Sequence, residues 1–508
     1  MIMLSGAISF GIQGIQAQAV EIEVDTVRGL PNFTIVGLPD STIKESRERI
    51  RSAIENSGFD FPPKNFVVNL APADFKKQGA NFDLPIAVAI LHVTGQVSIA
   101  PRSVPMVGEL SLDGRVKPVK GVIAMAISVM RSGFGGIIVP WDNRDEAAAI
   151  RELSVFPVRT LQEAIAVLEE DIEPYRAPVE IGAPPAGPDF SEVRGQETAK
   201  RALEIAAAGH HNVLLYGAPG SGKTMLARRL PSILPELSRE QAIATSMIHS
   251  VGGKLPCRSG LIVTPPFRSP HHTASDTALV GGGKVPSVGE ISLSHNGVLF
   301  LDEFIEFPGY VLQALRQPLE DREITVSRAS GTFTFPADFM LVAATNPCHC
   351  GYYFDDEVPC RCSNMKIEGY IRKIAGPILD RIDIEVLVNR VSYRDLSGMR
   401  KGEGSSNIKK RVMRARDTQD NRYHGGPVRY NSRMAPEDVE RHCVIEGPVK
   451  SLVESAMDRM KLTARSYYKI LKMGRTIADL ESSESIREEH ILEALSYKNL
   501  QRNYDRGA

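Results

Sequence analysis

The feature that most constrains this chain is a glycine-rich loop between an apolar run and a helix-forming segment. The run Val213–Tyr216 is typical of a buried strand, and Gly217 opens a G-x-x-x-x-G-K-[ST] pattern that closes at Lys223 and Thr224. In this pattern backbone N–H groups surround phosphate oxygens, the lysine reaches the β- and γ-phosphates, and the threonine hydroxyl binds Mg²⁺. The chain is therefore predicted to be an α/β protein that binds a nucleoside triphosphate through Gly217, Ala218, Pro219, Gly220, Ser221, Gly222, Lys223 and Thr224.

A second apolar run, at 298–301, ends in two carboxylates. Asp302 is positioned to hold the water shell of Mg²⁺, and Glu303 to orient or deprotonate the attacking water. An Asp-Glu pair after a strand is often only a solvated turn, but its position downstream of a phosphate-binding loop favours catalysis. We therefore predict an enzyme that hydrolyses a nucleoside triphosphate with Mg²⁺, which for an ATPase means ATP to ADP and phosphate.

Length and charge limit the remaining choices. A chain of 508 residues is expected to form about three domains. Because the net charge is −1, any nucleic acid must be bound by local basic patches rather than by a global positive field. The sequence has no apolar run of roughly 20 residues and no secretory pattern, so we expect a cytoplasmic protein without a membrane partner.

The domain plan follows from changes in composition. Residues 1–172 predict an α/β domain, 173–190 a proline-rich linker, 191–400 the ATPase core, and 401–508 a helical lid. Within the core, 266–273 and 279–284 are rich in glycine, proline and histidine and predict a surface loop or hairpin. Residues 324–335 are two alternating runs around Gly331 and predict a β-hairpin that projects toward a substrate.

The N-terminal domain resembles the proteolytic domain of Lon proteases at 77–83, 107–116 and 118–123. That family uses a serine activated by a lysine. Asn81 and Ile123 stand at those two positions, and neither side chain can do that chemistry, so the resemblance implies a shared fold without peptidase activity. A displaced pair made by Ser111 and Lys120 is the alternative.

Four of the six cysteines are clustered within 348–362. Cys348, Cys350, Cys360 and Cys362 form a C-x-C…C-x-C pattern, and four thiolates suit tetrahedral Zn²⁺. The alternative is a loop with reduced cysteines and no metal. We predict a structural zinc site.

The core also resembles AAA+ ATPases, first in 189–197, which is similar to their adenine-side segment. The resemblance implies that Asn346 is the first sensor, which hydrogen-bonds the attacking water or the γ-phosphate. It implies that Arg381 is an arginine finger for the nucleotide of a neighbouring subunit, which requires a ring or at least a dimer. Arg465 then resembles the second sensor, with Arg475 as the alternative.

A bland interpretation of Arg381 is also open. The arginine has Asp380 and Asp383 beside it in sequence, and a surface ion pair with either carboxylate would contribute little.

Taken together, the motifs resemble the ComM (YifB) family of magnesium-chelatase-like AAA+ proteins. The resemblance extends from 4–7 to 475–480 and includes 267–272 and 343–348; His349 stands where a proline is more usual. It implies a homo-hexameric motor related to MCM helicases that promotes branch migration as transforming DNA is integrated. Candidate contacts to single-stranded and branched DNA, made to phosphates inside the ring, are Arg268, Lys284 and Arg328.

Three other functions are open at this stage. A chelatase-type ATPase that remodels a protein partner would have a similar motor, and DNA-stimulated hydrolysis separates it from a helicase. A protease is disfavoured by Asn81 and Ile123. A non-catalytic scaffold gated by nucleotide would require that Asp302 and Glu303 be dispensable.

Overall fold

The structure is a computed structural model, and its residues group into two compact units. It describes residues 4–98, 102–177, 187–255, 260–283, 287–328, 331–355, 357–374, 378–391, 402–426, 428–498 and 500. The first unit comprises 1–182, 238–263 and 286–288, and the second comprises 183–237, 264–285 and 289–508. Lys284 and the middle of the predicted linker, at 178–186, lie outside the described residues.

The first unit is built on a four-stranded sheet in which alternating residues are buried. Its strands are, in spatial order, Leu4–Gln13, Gln16–Val27, Asn65–Ala71 and Asn32–Val36; the last is parallel to its neighbour and the other pairs are antiparallel. All residues of the helix Asp83–Val93 are buried, so this helix forms the centre of the unit's core.

The remaining elements of this unit are short strands and peripheral helices. The strands are Glu109–Leu110, Val116–Lys117, Gly136–Pro140, Ser154–Val158 and Ser287–Val288. The helices are Ser41–Asn56, Val122–Arg131, Arg144–Ala148, Leu161–Glu169 and Arg239–Val251, with a 3₁₀ turn at Trp141–Asn143. Arg239–Val251 comes from the predicted ATPase core of the sequence and packs on Val122–Arg131.

The positions that resemble the Lon catalytic pair are occupied by structural contacts. The amide of Asn81 donates to the carbonyl of Phe10 at 2.8 Å, and Ile123 is fully buried. The hydroxyl of Ser111 donates within its own turn, to Asp113 at 2.5 Å and to the carbonyl of Arg115 at 3.0 Å. The Ser111 hydroxyl is therefore committed to its own turn, which disfavours the displaced pair with Lys120.

The second unit contains a five-stranded, fully parallel sheet. Its spatial order is Phe267–Arg268, Val298–Leu301, Met340–Thr345, Val213–Tyr216 and Ile384–Leu387. Every residue of the three central strands is buried, which explains their continuous apolar sequence, because a parallel sheet is covered on both faces. Since the strands are parallel, the loop at Gly217 and the residues Asp302 and Asn346 emerge at the same edge of the sheet.

Helices surround this sheet and continue to the end of the described chain. They are Glu197–Gly209, Lys223–Arg229, Asp276–Leu279, Glu290–Leu293, Gly309–Ala314, Arg316–Asp321, Asn364–Ile374, Ser405–Arg422, Pro436–His442, Gly447–Met460, Ala464–Leu480 and Glu488–Ser496. Short 3₁₀ turns lie at Phe190–Glu192, Leu230–Ile233, Phe304–Glu306, Leu379–Arg381 and Asn431–Arg433, and a two-residue strand at Gly281–Gly282. Among the described helices, none has both the length and the apolarity that crossing a bilayer requires.

The segment 309–321 forms two helices, Gly309–Ala314 and Arg316–Asp321, because Pro318 has no N–H to donate back along a continuous helix. One local prediction was wrong. A surface loop was expected around Arg268, but Phe267–Arg268 is the edge strand of the core sheet. Two residues are too few to show a strand's period of two.

The predicted hairpin is confirmed. Glu323–Arg328 and Gly331–Pro336 are antiparallel, and Arg328 pairs with Gly331 next to the turn. The helical character of the C-terminal region is confirmed as well, and the helix Ala464–Leu480 is capped at Thr463, whose hydroxyl accepts from the N–H of Ser466 at 3.3 Å.

A candidate nucleotide-binding site

The phosphate-binding loop has a backbone that requires glycine. Gly220 and Gly222 have φ of 76° and 96°, in the left-handed region that other residues rarely adopt. Gly217 is limited by space instead, because a Cβ there would lie 2.2 Å from the carbonyl oxygen of Val388. These constraints explain why the loop has glycine at these three positions.

Lys223 is held over this loop. Its ammonium donates to the carbonyl oxygens of Gly217 and Ala218 at 2.7 and 2.9 Å and to Oδ1 of Asn346 at 3.3 Å. Burial lowers the pKa of Lys223 to about 8, and the nearby Asp302 carboxylate opposes that shift. The structure thus brings together the lysine and the predicted sensor Asn346, which were 123 residues apart in the sequence.

The two residues predicted to hold Mg²⁺ are also in contact. The hydroxyl of Thr224 donates to Oδ2 of Asp302 at 2.7 Å, and the N–H of Glu303 donates to Oδ1 of the same carboxylate at 3.0 Å. A hydroxyl and a carboxylate oxygen at this spacing are the donors that P-loop enzymes use for Mg²⁺. The donor set therefore fits the ion.

Glu303 has an unusual backbone and an unexpected partner. Its φ is 50°, and non-glycine residues in the left-handed region are concentrated at functional sites, where the surrounding structure compensates the strain. Its carboxylate oxygen Oε2 lies 3.2 Å from Nδ1 of His272. The sequence analysis assigned 266–273 to a surface loop or hairpin and missed this contact; the adjacent histidines were the available signal.

Arg381 and Arg465 lie together, away from the chain's own phosphate-binding loop. Both guanidinium groups contact Oε1 of Glu320, at 2.5 and 3.1 Å. The carbonyl of Arg381 accepts from the side chain of Asn212 at 2.9 Å, so Arg381 lies at the amino end of the strand Val213–Tyr216. The loop begins at the other end of this strand, about 13 Å farther along the sheet.

The bland interpretation paired Arg381 with Asp380 or Asp383, whereas the structure gives it an ion pair with a carboxylate far away in sequence. Asp383 is 3.6 Å from Lys469 and 3.5 Å from His211; burial raises the pKa of its carboxyl, but the Lys469 charge and the hydrogen bond with His211 outweigh burial and lower it. Arg381 instead pairs with Glu320, a residue 61 positions away in the sequence.

The alternative second sensor, Arg475, is not available for nucleotide. It is buried, and its guanidinium contacts Asp479 at 3.1 Å and donates to the carbonyls of Ser483 and Glu484. These contacts inside the helical region already use the guanidinium and disfavour that alternative.

The four cysteines of 348–362 converge on one point. The sulfur of Cys348 is 3.3 Å from that of Cys350 and 3.7 Å from that of Cys360, and Cys350 and Cys360 are 3.5 Å apart. All four ligand atoms, including that of Cys362, lie within 4.8 Å of one another. A disulfide needs about 2.05 Å, whereas a tetrahedral ion with ligands at about 2.3 Å places sulfurs about 3.8 Å apart. The cluster can therefore hold one metal ion.

The structure gives different information on each of the three candidate DNA contacts. Arg268 is bound by both oxygens of Glu290, at 2.6 and 2.7 Å, so this guanidinium already has a carboxylate partner. Arg328 ends the first hairpin strand, and Lys284 lies outside the part of the chain that the structure describes.

Models of known protein families match most of the sequence. Three family models match: Subunit ChlI of Mg-chelatase at residues 22–143, Magnesium chelatase, subunit ChlI at 189–396, and its C-terminal model at 402–498.

Individual relatives extend over nearly the full chain. An uncharacterized protein YifB of Salmonella typhimurium is 42% identical over 492 residues, which is 96% of each chain. The competence protein ComM of Haemophilus influenzae is 40% identical over 498 residues, again 96% of each chain. A Lon protease of Xanthomonas oryzae is 27% identical over 173 residues, 32% of this chain and 20% of the protease. With this fold and these full-length relatives, the chain belongs to the ComM (YifB) family of magnesium-chelatase-like AAA+ ATPases.

Proposed function

We propose that the protein is a ring-forming, ATP-driven DNA motor that promotes branch migration of recombination intermediates. The observation that carries the ring-forming ATPase is the division of the hydrolytic groups between the two edges of one sheet; the DNA substrate rests on the likeness to a competence protein. Lys223, Thr224, Asp302 and Asn346 meet at one edge, whereas Arg381 is held at the other. This placement supports a role for Arg381 at the nucleotide of another copy of the chain.

Within one copy, each residue of the nucleotide site has a separate role in hydrolysis. Lys223 binds the β- and γ-phosphates, and Asn346, which contacts the same ammonium, is near enough to orient the attacking water. Mg²⁺ held by Thr224 and Asp302 would neutralise charge on the phosphate oxygens. Glu303 accepts the proton of the water, and His272 fixes the direction of that carboxylate.

Between copies, Arg381 and Arg465 complete the site. Their shared partner Glu320 keeps two positive charges side by side at one surface. If this pair faced the γ-phosphate of the ATP bound by an adjacent subunit, it would stabilise the negative charge of the transition state. The homo-hexamer that the family resemblance implies would repeat this contact around a closed ring.

DNA would be gripped by the hairpin Glu323–Pro336 and the segment around Lys284. Thr325, Ser327, Thr332 and Thr334 form an exposed row of hydroxyls across the hairpin, and Arg328 stands next to its turn. Hydroxyl and guanidinium donors suit phosphate oxygens, so binding would be independent of sequence and sensitive to salt. Arg268 would have to leave Glu290 first and is the weakest of the three candidates. The competence protein named among the relatives supports a role with transforming DNA.

The metal of the four-cysteine cluster is proposed to be Zn²⁺. Four thiolates around one ion are typical of structural zinc sites, and the sulfur spacing matches the tetrahedron.

The matches to chelatase models favour a second candidate, a chelatase-type ATPase that remodels a protein partner. The two candidates share the nucleotide site and differ in what stimulates it. DNA should accelerate ATP hydrolysis by the motor and leave the remodelling ATPase unchanged.

The decisive experiment is strand displacement on a labelled three-stranded branched DNA with ATP and Mg²⁺. The wild-type protein should resolve the branch, and Lys223→Ala should not. A wild-type protein that hydrolyses ATP but neither binds nor moves DNA at low salt would refute the DNA motor and favour the protein remodeller.

A further inference from the structure

The four-cysteine cluster lies in a loop that packs directly on the phosphate-binding loop. We propose that the metal in this cluster braces the phosphate-binding loop, so that the affinity for ATP depends on the metal. This inference rests on the zinc assignment above. It adds that the metal, besides its structural role, sets the affinity of the nucleotide site for ATP.

One end of the cysteine loop is anchored to the strand that carries the sensor Asn346. Cys348 is buried two residues after Asn346, at the end of Met340–Thr345. The ring of the next residue, His349, packs edge-on against Tyr370 at 4.8 Å, and the Tyr370 hydroxyl is 3.5 Å from that of Thr345. The metal ligands thus begin where the catalytic edge of the sheet ends.

The middle of the loop touches the phosphate-binding loop at Pro219. Gly351 has φ of 86°, and a Cβ there would lie 2.6 Å from Cδ of Pro219, so only glycine allows this approach. Three residues later, the ring of Phe354 packs edge-on against Tyr216 at 5.9 Å. The cysteine loop therefore covers both the last residue of the strand and the turn that follows it.

Arg390 ties the two loops together. Its Nη2 donates to the carbonyl of Pro219 at 3.1 Å, and its Nε lies 3.3 Å from Oδ2 of Asp355. The guanidinium also lies over the ring of Tyr352, 5.3 Å from its centroid. The guanidinium of Arg390 therefore binds the phosphate-binding loop through Nη2 and the cysteine loop through Nε. The sequence analysis did not anticipate this residue.

The cysteine loop cannot hold this shape by its own packing. Between positions 349 and 362, Gly351 is the one described residue that is buried as a whole. A segment without an apolar core needs a cross-link to offset the entropy of ordering its backbone. The metal joins Cys348 and Cys350 at one end to Cys360 and Cys362 at the other, so it closes the loop from which Gly351 and Asp355 reach their partners.

Loss of the metal should therefore loosen the contacts on Pro219. Phosphate binding requires the backbone N–H groups of the loop to point inward together, and each departure from that geometry weakens the interaction. We expect affinity for ATP to fall at least tenfold when the metal is removed and to return when Zn²⁺ is added back.

The test measures metal content and nucleotide affinity on the same full-length protein. Bound zinc is counted by elemental analysis, and affinity for a fluorescent ATP analogue with Mg²⁺ is followed by anisotropy, before and after treatment with a zinc-selective chelator. The double variant Cys360→Ser with Cys362→Ser should lose both zinc and affinity. Cys443→Ala, which removes a buried cysteine outside the cluster, should lose neither.

Arg390→Ala removes the guanidinium that contacts both loops and leaves the four metal ligands unchanged. It should keep one zinc per chain and still bind the ATP analogue more weakly than the wild type by about tenfold. Unchanged affinity in Arg390→Ala, or in chelated wild-type protein that has lost its zinc, would overturn the brace while leaving the zinc assignment intact. A wild-type protein that binds no zinc would overturn both. The assay contains no DNA, so failure of the DNA motor proposal would be visible separately.

Discussion

The contact between Gly351 and Pro219 can be tested without touching a metal ligand. Gly351→Ala adds one methyl group, which the structure places 2.6 Å from Cδ and 2.7 Å from Cγ of Pro219. Gly425→Ala is the matched control. Gly425 has a similar φ, 77° against 86°, but a Cβ there would have no atom within 4 Å.

The expected magnitudes follow from this difference. Alanine in the left-handed region costs about 1–2 kcal/mol in the free energy of unfolding, and both variants incur that cost. Overpacking against Pro219 adds about 1–3 kcal/mol to Gly351→Ala alone. Because that strain is relieved by moving the phosphate-binding loop, we expect ATP to bind about tenfold more weakly, which corresponds to about 1.4 kcal/mol.

Urea denaturation and anisotropy with a fluorescent ATP analogue measure the two effects separately. Gly425→Ala should lower the free energy of unfolding and leave ATP affinity unchanged, whereas Gly351→Ala should lower both. Equal ATP affinities in the two variants would refute the argument that the cysteine loop presses on the phosphate-binding loop.

Four further predictions concern the catalytic groups. Glu303→Gln should retain ATP binding and lose hydrolysis by at least about a hundredfold, measured by phosphate release. His272→Ala should lower kcat about tenfold at unchanged ATP affinity, since it frees the carboxylate of Glu303, while His271→Ala should change kcat less than about twofold. Lys223→Ala and Arg381→Ala should each be inactive alone but regain ATPase activity when mixed, because one mixed interface has both groups intact; no recovery in mixed rings would contradict the shared site. Because burial lowers the pKa of Lys223 to about 8, the ammonium is lost as pH rises through that value, so ATP affinity should fall above pH 8 and calorimetry in two buffers should show proton uptake on binding there.

The nucleotide site was predictable because its signals are local or continuous. The strand Val213–Tyr216 is apolar throughout, and the glycines and Lys223 follow it without interruption, so the motif and its context could both be recognised. The hairpin Glu323–Pro336 was predictable for the same reason: two alternating runs flank one turn.

Contacts between distant residues could not be predicted. The sequence carries no sign that Glu320 binds both Arg381 and Arg465, because each side chain is one of many charged groups on helices and turns. Likewise, the Arg268–Glu290 pair could not be predicted, because the edge strand Phe267–Arg268 is too short to show the alternation of a strand. Such pairings are decided by which strands become neighbours in the sheet.

The helix Arg239–Val251 has a consequence for how this chain can be divided. It follows the nucleotide-binding helix Lys223–Arg229 in sequence, yet it packs in the first unit against Val122–Arg131, and its Ser250 hydroxyl donates to the buried Glu146. A truncation at 172–190 would therefore not yield two intact halves. The N-terminal fragment would lack a helix of its own core, and the ATPase fragment would carry that helix without the surface on which it packs.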